Sequence, residues 1–478
     1  MKARLFAPEN RKWWTLGAVS FGLFMIMLDN TIVNVALPSI QHDLHIGISE
    51  LEWVVNGYAL TFAVMMLTGG KLADMLGRRR IFIVGLVVFT ASSLACGLAG
   101  SAHMLIGARV VQGVGSALMN PATLSIITAT FAPRQRGMAI GIWAGTSAMA
   151  LAIGPLVGGL ITQYIDWTWI FFINVPIGVI GIAVARLVIT ESRDTSHEQR
   201  LDLPGLVASA VALFALTYGL IEANTYGWTS TRILVLFGVA AAGLIVFILL
   251  ELRQRIPMLD LSLFKNSTFA GANATMMLVA LAMFGVFFYV SLFMQNILGY
   301  SPTKAGATFL PMTVLIILIA PAAGKFSDRV GSRWMMGVGM LLVAGSLLIF
   351  SRMDQNGGFW NLFPGLIIGG IGMALTMTPT TAAAMGSVAV DKAGVGSAVL
   401  NSMRQVGGAL GIAIMGAIVA ASIHVPKGTR TPEAALQFVT GFQHALEVAA
   451  SIAFVGALVA IATVRKYRHG AETAEAVA

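Results

Sequence analysis

Charge is scarce in this chain. Only 11% of its 478 residues are Asp, Glu, Lys or Arg, where a soluble globular protein carries roughly 25%. So small a supply cannot cover a surface facing water, which excludes a soluble domain and leaves lipid as the solvent. Cysteine is nearly absent too. Cys96 stands alone in an apolar stretch, so a disulfide framework within the chain is excluded and a packed thiol is expected. A phosphate loop of the GxxxxGK(S/T) kind is missing, so ATP is not expected to power the chain directly. None of the seven His pairs at i,i+4 and no His/Cys cluster has ligand spacing, so neither a metal nor a cofactor is expected. With no nucleophile elbow either, the chain does not read as an enzyme.

What the sequence does contain is apolar length. Hydrophobic residues make up 57% of it, with 52 Gly and 25 Met, and the mean hydropathy is +0.83. Small residues let membrane helices approach closely, and thioethers fill irregular gaps. About 20 apolar residues cross the hydrocarbon core as a helix. Spans are predicted near 14–37, 51–70, 81–101, 104–131, 137–161, 169–189, 204–222, 233–251, 268–297, 304–323, 334–351, 360–382, 394–421 and 443–464. Stretches 81–102, 110–133 and 137–165 hold no charged residue at all. The first run has no small-residue cleavage site after it and reads as a retained span.

Lys and Arg set the orientation. With the N-terminus inside, the inner tail and loops collect most of them, from Lys2 and Arg4 through Arg78, Arg79 and Arg80 to Arg465, Lys466 and Arg468; the outer side holds Arg232, Lys304, Arg352, Lys427 and Arg430. Both termini then lie in the cytoplasm and the span count is even. The formal charge of +9 follows from this bias, with the basic residues at helix ends rather than in one patch, so no nucleic-acid partner is expected.

An internal repeat divides the chain. Gly70, Lys71, Asp74, Gly77 and Arg79 recur at a constant offset as Gly324, Lys325, Asp328, Gly331 and Arg333. The copies follow the second and tenth spans, so two extra helices separate the halves. The expected fold is all-α and membrane-integral. Residues 1–190 and 267–478 form two six-helix bundles, with two inserted transmembrane helices in 191–266 and fourteen spans in all. Paired halves with a site between them at mid-membrane characterise rocking transporters.

Several residues sit where apolar ones would be cheaper. Asp29 lies within the first span, where a charged carboxylate costs several kcal/mol unless it is paired, neutralised or facing a wet cavity. This makes it the candidate proton-loading group. Arg109, in the fourth span, is its natural partner if those helices are neighbours; the plainer alternative is an arginine snorkelling to the surface. Gly154, Pro155, Gly158 and Gly159 remove bulk and a backbone donor in the fifth span, so that helix bends and packs closely. In the loop motif, glycines permit a tight turn, and Asp74 with Arg78 and Arg79 can form a charge latch. Arg404 is charged at depth and needs a partner or a cavity. Asn30, Asn34, Trp53, Tyr58, Gln112, Met149, Phe288, Tyr289 and Gln295 are further candidates to line a substrate cavity. Glu222 and Glu447, near outer span ends, read as solvated.

These segments resemble the signatures of the major facilitator superfamily: the loop at 69–80 and its copy at 324–333, the segment from Arg109 to Gly115, and the 154–159 segment. The 28–38 stretch, the 167–176 stretch (WTWIFFINVP) and the two inserted helices are similar to its fourteen-span drug:proton antiporters, the EmrB/QacA type. The resemblance implies a proton-driven exporter of lipophilic or cationic compounds, working by alternating access in a bacterial cytoplasmic membrane and as a monomer. A dedicated exporter of one metabolite, natural product or lipid on the same scaffold is the other reading. By resemblance, Asp29 is the protonation site and Arg109 its charge partner. The resemblance also makes 154–159 the export-associated bend and Asp74 with Arg78 the inner gate. Ala150 departs from the antiporter pattern, which carries glycine there.

Overall fold

The computed structural model describes residues 8–131, 133–193, 201–254, 257, 259–388, 393–423 and 431–465. Among them every regular element is helical. The first part holds α1 (Pro8–Leu44), α2 (Ile48–Leu76), α3 (Arg78–Gly97), α4 (Ala102–Thr130), α5 (Pro133–Tyr164), α6 (Trp169–Phe172) and α7 (Asn174–Val188). A pair follows, α8 (Leu203–Tyr226) and α9 (Thr231–Arg253). The last part holds α10 (Ser267–Leu292), α11 (Pro302–Thr308), α12 (Leu310–Val330), α13 (Ser332–Phe350), α14 (Phe359–Gly386), α15 (Ala393–Ala421) and α16 (Pro432–Thr463). Thirteen stretches among the described residues are long and apolar enough to cross a membrane, so the chain is a multi-pass membrane protein.

Local chemistry sets the helix boundaries. Ser101, Asp202, Ser230, Asn266, Ser301 and Thr431 each accept a hydrogen bond from a backbone N–H in the first turn of the helix they precede, satisfying donors that helix ends otherwise leave orphaned. Three predicted spans differ from the observed helices. The sixth breaks at Ile173, because Pro176 cannot donate to the carbonyl of Phe172. The ninth loosens into a π-turn at Phe293–Ile297, and the tenth divides into α11 and α12.

Helix pairings repeat along the chain. In the first part α2 packs on α4, α3 on α4 and α7, and α1 on α5; in the last, α12 packs on α14, α13 on α14 and α16, and α10 on α15. Lipid gives little hydrophobic drive between helices, so close approach of small residues carries the association. At the α3/α4 crossing a Cβ on Gly85 would meet the Gly115 carbonyl at 2.8 Å, and at α13/α14 one on Gly339 would meet the Gly372 carbonyl at 2.8 Å.

Across the halves, α2 meets α15, α5 meets α11 and α12, and α1 meets α10. The inserted helix α8 packs on both α2 and α15, while α9 packs on α8. Only Ile233, Ala240 and Glu251 of α9 are buried. Leu234, Val235, Leu244, Ile245, Leu249 and Leu252 are exposed, which makes α9 the least buried of the thirteen spans.

Candidate functional site: a buried ion pair and the seam beside it

Asp29 and Arg109 meet. The Arg109 Nη1 donates to Asp29 Oδ2 at 2.5 Å and to Gln112 Oε1 at 2.7 Å, and its Nε donates to the Val54 carbonyl at 3.1 Å. The guanidinium lies over the Tyr58 ring, 4.2 Å from its centroid, and Tyr58 pairs its hydroxyl with Ser116 Oγ at 2.8 Å. The Gln112 Nε2 donates to Asp29 Oδ1 at 3.1 Å and to Ser93 Oγ at 3.2 Å. Ser93 in turn donates to the Phe171 carbonyl, and Asn174 Nδ2 donates to Ser93 Oγ at 3.0 Å. The exposures of Asp29 and Arg109 are 0% and 1%.

The pair is therefore neither snorkelling nor wet. It lies inside the first half, where α1, α2, α3, α4 and the α6/α7 break converge, and not in the gap between halves. A lone charge there would be costly, whereas a pair this well hydrogen-bonded is tolerated. The break at Ile173 has a use: it brings Phe171 and Asn174, on either side of it, onto Ser93. Ser93, Ser116 and Asn174 were not singled out from sequence, since neutral polar residues are ordinary in packed membrane helices.

The loop motif forms a turn whose shape requires glycine. Gly77 has φ +114° and Gly331, its repeat, +99°, conformations that L side chains rarely adopt. Asp74 binds Arg78, with Nε and Nη2 both 2.9 Å from Oδ1. Glu191 caps the start of α3, accepting from the backbone N–H of Arg79 at 3.1 Å and of Arg80 at 3.2 Å, and Arg79 Nη2 donates to the Arg186 carbonyl at 2.9 Å. Gly70 faces Pro121. In the second copy, Arg333 lies 5.3 Å from the Trp334 ring centroid; the Asp328 side chain lies outside the described residues.

The 154–159 segment presents two faces. Gly154 and Gly158, one turn apart, lie against Thr31 and Ile32 of α1. Pro155 and Gly159, the next pair, lie against Gly306 and Pro302 of the second half. Ala150 is fully buried. One stripe thus tightens α5 onto its own half and the other joins the halves.

The remaining cavity candidates do not gather at one place. Asn30 and Asn34 donate back to their own helix at Ile26 and Asn30. Trp53 stacks on Phe214 of the inserted pair, centroids 6.4 Å apart. Met149 is 46% exposed and Phe288 is fully buried. Gln295 donates to the Val35 carbonyl across the halves at 2.9 Å. Arg404 is partly buried, and its Nε has no hydrogen-bond partner among the described residues. Two crevices of about 320 and 350 Å³ are lined by Leu348, Ile349 and Arg352, and by Trp228, Ile414 and His444, among others, so by none of these candidates.

Tyr289 leads to a residue the sequence reading passed over. Its hydroxyl donates to Glu52 Oε1 at 2.5 Å. Glu52 is 2% exposed, and its Oε2 and both amide atoms of Asn56, one turn further along α2, have no hydrogen-bond partner among the described residues. A carboxylate and an amide four residues apart inside a predicted span were the available signal.

Packed apolar helices around a buried ion pair make a multi-pass membrane protein, and its family and relatives make it a transport protein and not an enzyme. The chain belongs to the Major Facilitator Superfamily, whose sequence profile matches residues 19–412. It is 37% identical over 415 residues to the tetracenomycin C resistance and export protein of Streptomyces glaucescens, covering 87% of this chain and 77% of that one. It is also 37% identical over 410 residues to the multidrug resistance protein Stp of Mycobacterium tuberculosis, covering 85% and 76%. Among solved structures, a bacterial homologue of the human lysosomal transporter Spinster, inward-facing and unoccupied, superposes with a TM-score of 0.69 at 17% identity, covering 96% of this chain and 99% of that one. This last likeness bears on the fold alone.

Proposed function

We propose that this protein is a proton-coupled antiporter that exports lipophilic or cationic drugs by alternating access. The observation that carries the reading is the buried pair of Asp29 and Arg109, an ionisable carboxyl whose only cation partner among the described residues sits on another helix. The resistance and export names of the relatives at 37% identity support the substrate class. In this reading the chain has fourteen spans, with α5 (32 residues) joining the thirteen above. Two six-helix halves flank the inserted pair, and both termini lie in the cytoplasm of a bacterial cell.

Protonation of Asp29 from outside discharges its half of the pair. Arg109 is then held by Gln112 and the Val54 carbonyl, and α1 and α4 are released from the tie that fixes them. Because Asp29 is enclosed by its own half, substrate need not touch it. Proton and cargo exchange through the rearrangement of those helices, on which the 154–159 stripe and the Gly77 turn act as hinge and inner latch. Each charge moved down the electrical gradient supplies about 2.3 kcal/mol per 100 mV. Asn30, Asn34 and Arg404 are proposed to face the cargo once the halves part.

Ethidium efflux from inverted vesicles under an imposed pH gradient tests this. Wild type pumps, and Asp29→Asn and Arg109→Ala do not. Normal pumping by Asp29→Asn would refute the coupling site. The second reading, a dedicated exporter of one natural product, is favoured by relatives named for single antibiotics, such as the methylenomycin A resistance protein of Bacillus subtilis, 34% identical over 403 residues. Resistance to one compound instead of several unrelated cationic dyes would select it.

A further inference from the structure

A second carboxyl lies where the halves meet. Glu52 sits near the start of α2, Tyr289 near the end of α10, Gly416 near the end of α15 and Glu222 near the end of α8, all toward the face opposite the Gly77 and Gly331 turns. The Tyr289 hydroxyl reaches across the halves to Glu52 Oε1. Gly416 leaves room for it, since any side chain there would collide with the Glu52 carboxyl. Glu222 lies near the end of α8, the inserted helix that packs on both α2 and α15. Other contacts between the halves gather at this same face: Gln295 Nε2 to the Val35 carbonyl at 2.9 Å and Thr303 Oγ1 to the Gly159 carbonyl at 3.1 Å.

The charges around Glu52 decide what it can be. Among the described residues, Tyr289 of α10 hydrogen-bonds it and Gly416 of α15 lies against it, and the acid at the same end of α8 is Glu222. On α4, Arg109 reaches α2 at the Val54 carbonyl and is already bound to Asp29; Glu50, on α2 itself, accepts from the Gly47 N–H. Closing this seam on an ionised Glu52 would bury a charge that pairs with no cation among the described residues, since Arg232 of the inserted pair donates to the Tyr218 hydroxyl; such burial is strongly unfavourable. Closing it on the carboxylic acid buries a neutral group that Tyr289 already hydrogen-bonds, with Oε2 left to carry the proton.

We propose that Glu52 is a second proton-binding carboxyl of the carrier, loaded while α2, α8, α10 and α15 are locked together and unloaded when that seam opens. The inserted pair thereby acquires a role: α8 closes over the α2/α15 seam beside Glu52 and brings a second acid, Glu222, to the same end. This rests on the alternating-access reading above and adds to Asp29 a proton site at the junction of the halves.

The test measures distance and needs no cargo. Spin labels are placed at Tyr164→Cys and Trp360→Cys, exposed positions at the ends of α5 and α14, in full-length protein in lipid nanodiscs, with the buried Cys96 left in place. One linked proton changes the closed-to-open ratio by up to about tenfold per pH unit. Between about pH 6 and about pH 8, wild type is therefore expected to lose the short distance as pH rises, by about tenfold or more in that ratio. Glu52→Gln keeps the short distance throughout. Glu222→Gln, a milder change on a half-buried helix end, keeps part of it at the alkaline end. A wild type that does not respond to pH, or an unaltered response in both variants, overturns the proposal. Efflux measured on the same preparations separates the two ideas. If wild type pumps but Glu52 leaves the distances unaffected, the second site falls and proton-driven export stands; if wild type does not move ethidium under any gradient, the carrier reading falls.

Discussion

Replacing Asp29 by Asn keeps the shape of the buried centre and removes its negative charge. The Arg109 guanidinium, 1% exposed, then has Gln112 and a backbone carbonyl as acceptors but no counter-ion. Removing one member of a buried pair costs about 3–5 kcal/mol. In a large domain each kcal/mol lowers the melting temperature by about 2 °C, which gives a loss of about 6–10 °C for Asp29→Asn. Neutralising both partners, Asp29→Asn with Arg109→Gln, removes the stranded charge, and the double variant should recover at least half of that loss. Thermal denaturation of the detergent-solubilised protein, followed by the monodisperse peak on size-exclusion chromatography, reads both numbers. Two single variants that each melt like wild type, or a double variant whose loss is the simple sum of the singles, would mean that the two residues do not depend on each other for their burial.

Other features yield sharper local expectations. Ser93→Ala removes the acceptor of Gln112 and Asn174 and the donor to Phe171, and should cost about 1–3 kcal/mol, seen in the same melting assay. Gly77→Ala forces a methyl into a left-handed turn, at about 1–2 kcal/mol, and would bring it 2.6 Å from the Glu191 carboxyl; measured against a Glu191→Ala background that already lacks the cap on α3, the same substitution should cost only the first part. Gly158→Val drives a side chain into Ile32 of α1 and should abolish drug resistance while the protein is still found in the membrane fraction. Retained resistance would show that α5 does not need to approach α1 so closely.

Much of the architecture can be read from the sequence because lipid leaves few solutions for a backbone: charge-free runs of sufficient length must be helices. The boundaries were harder to see. The last helix starts at Pro432, before the predicted 443, because its first turns carry polar residues that meet water and so do not register as apolar length. The partnership of Asp29 and Arg109 could be anticipated, since each is expensive alone in an apolar span. Glu52 could not. Next to Glu50 at a span edge it looks like one more interfacial acid, and only the fold brings Tyr289, 237 residues away, over it. Trp53 is a related case: an aromatic near a span end suits a cavity wall as well as it suits the stack on Phe214 that the inserted pair provides.

A carrier built from repeated halves has two lateral slits, one on each flank. Here the flank where α2 meets α15 is plastered over by α8, with α9 outside it, while among the described residues no helix covers the flank where α5 meets α11 and α12. Bilayer lipids can therefore wet one slit directly and reach the other only past a protein wall. Any rocking of the halves must shear against that wall on one flank and against fluid hydrocarbon on the other, so the two flanks of this molecule cannot move with the same ease.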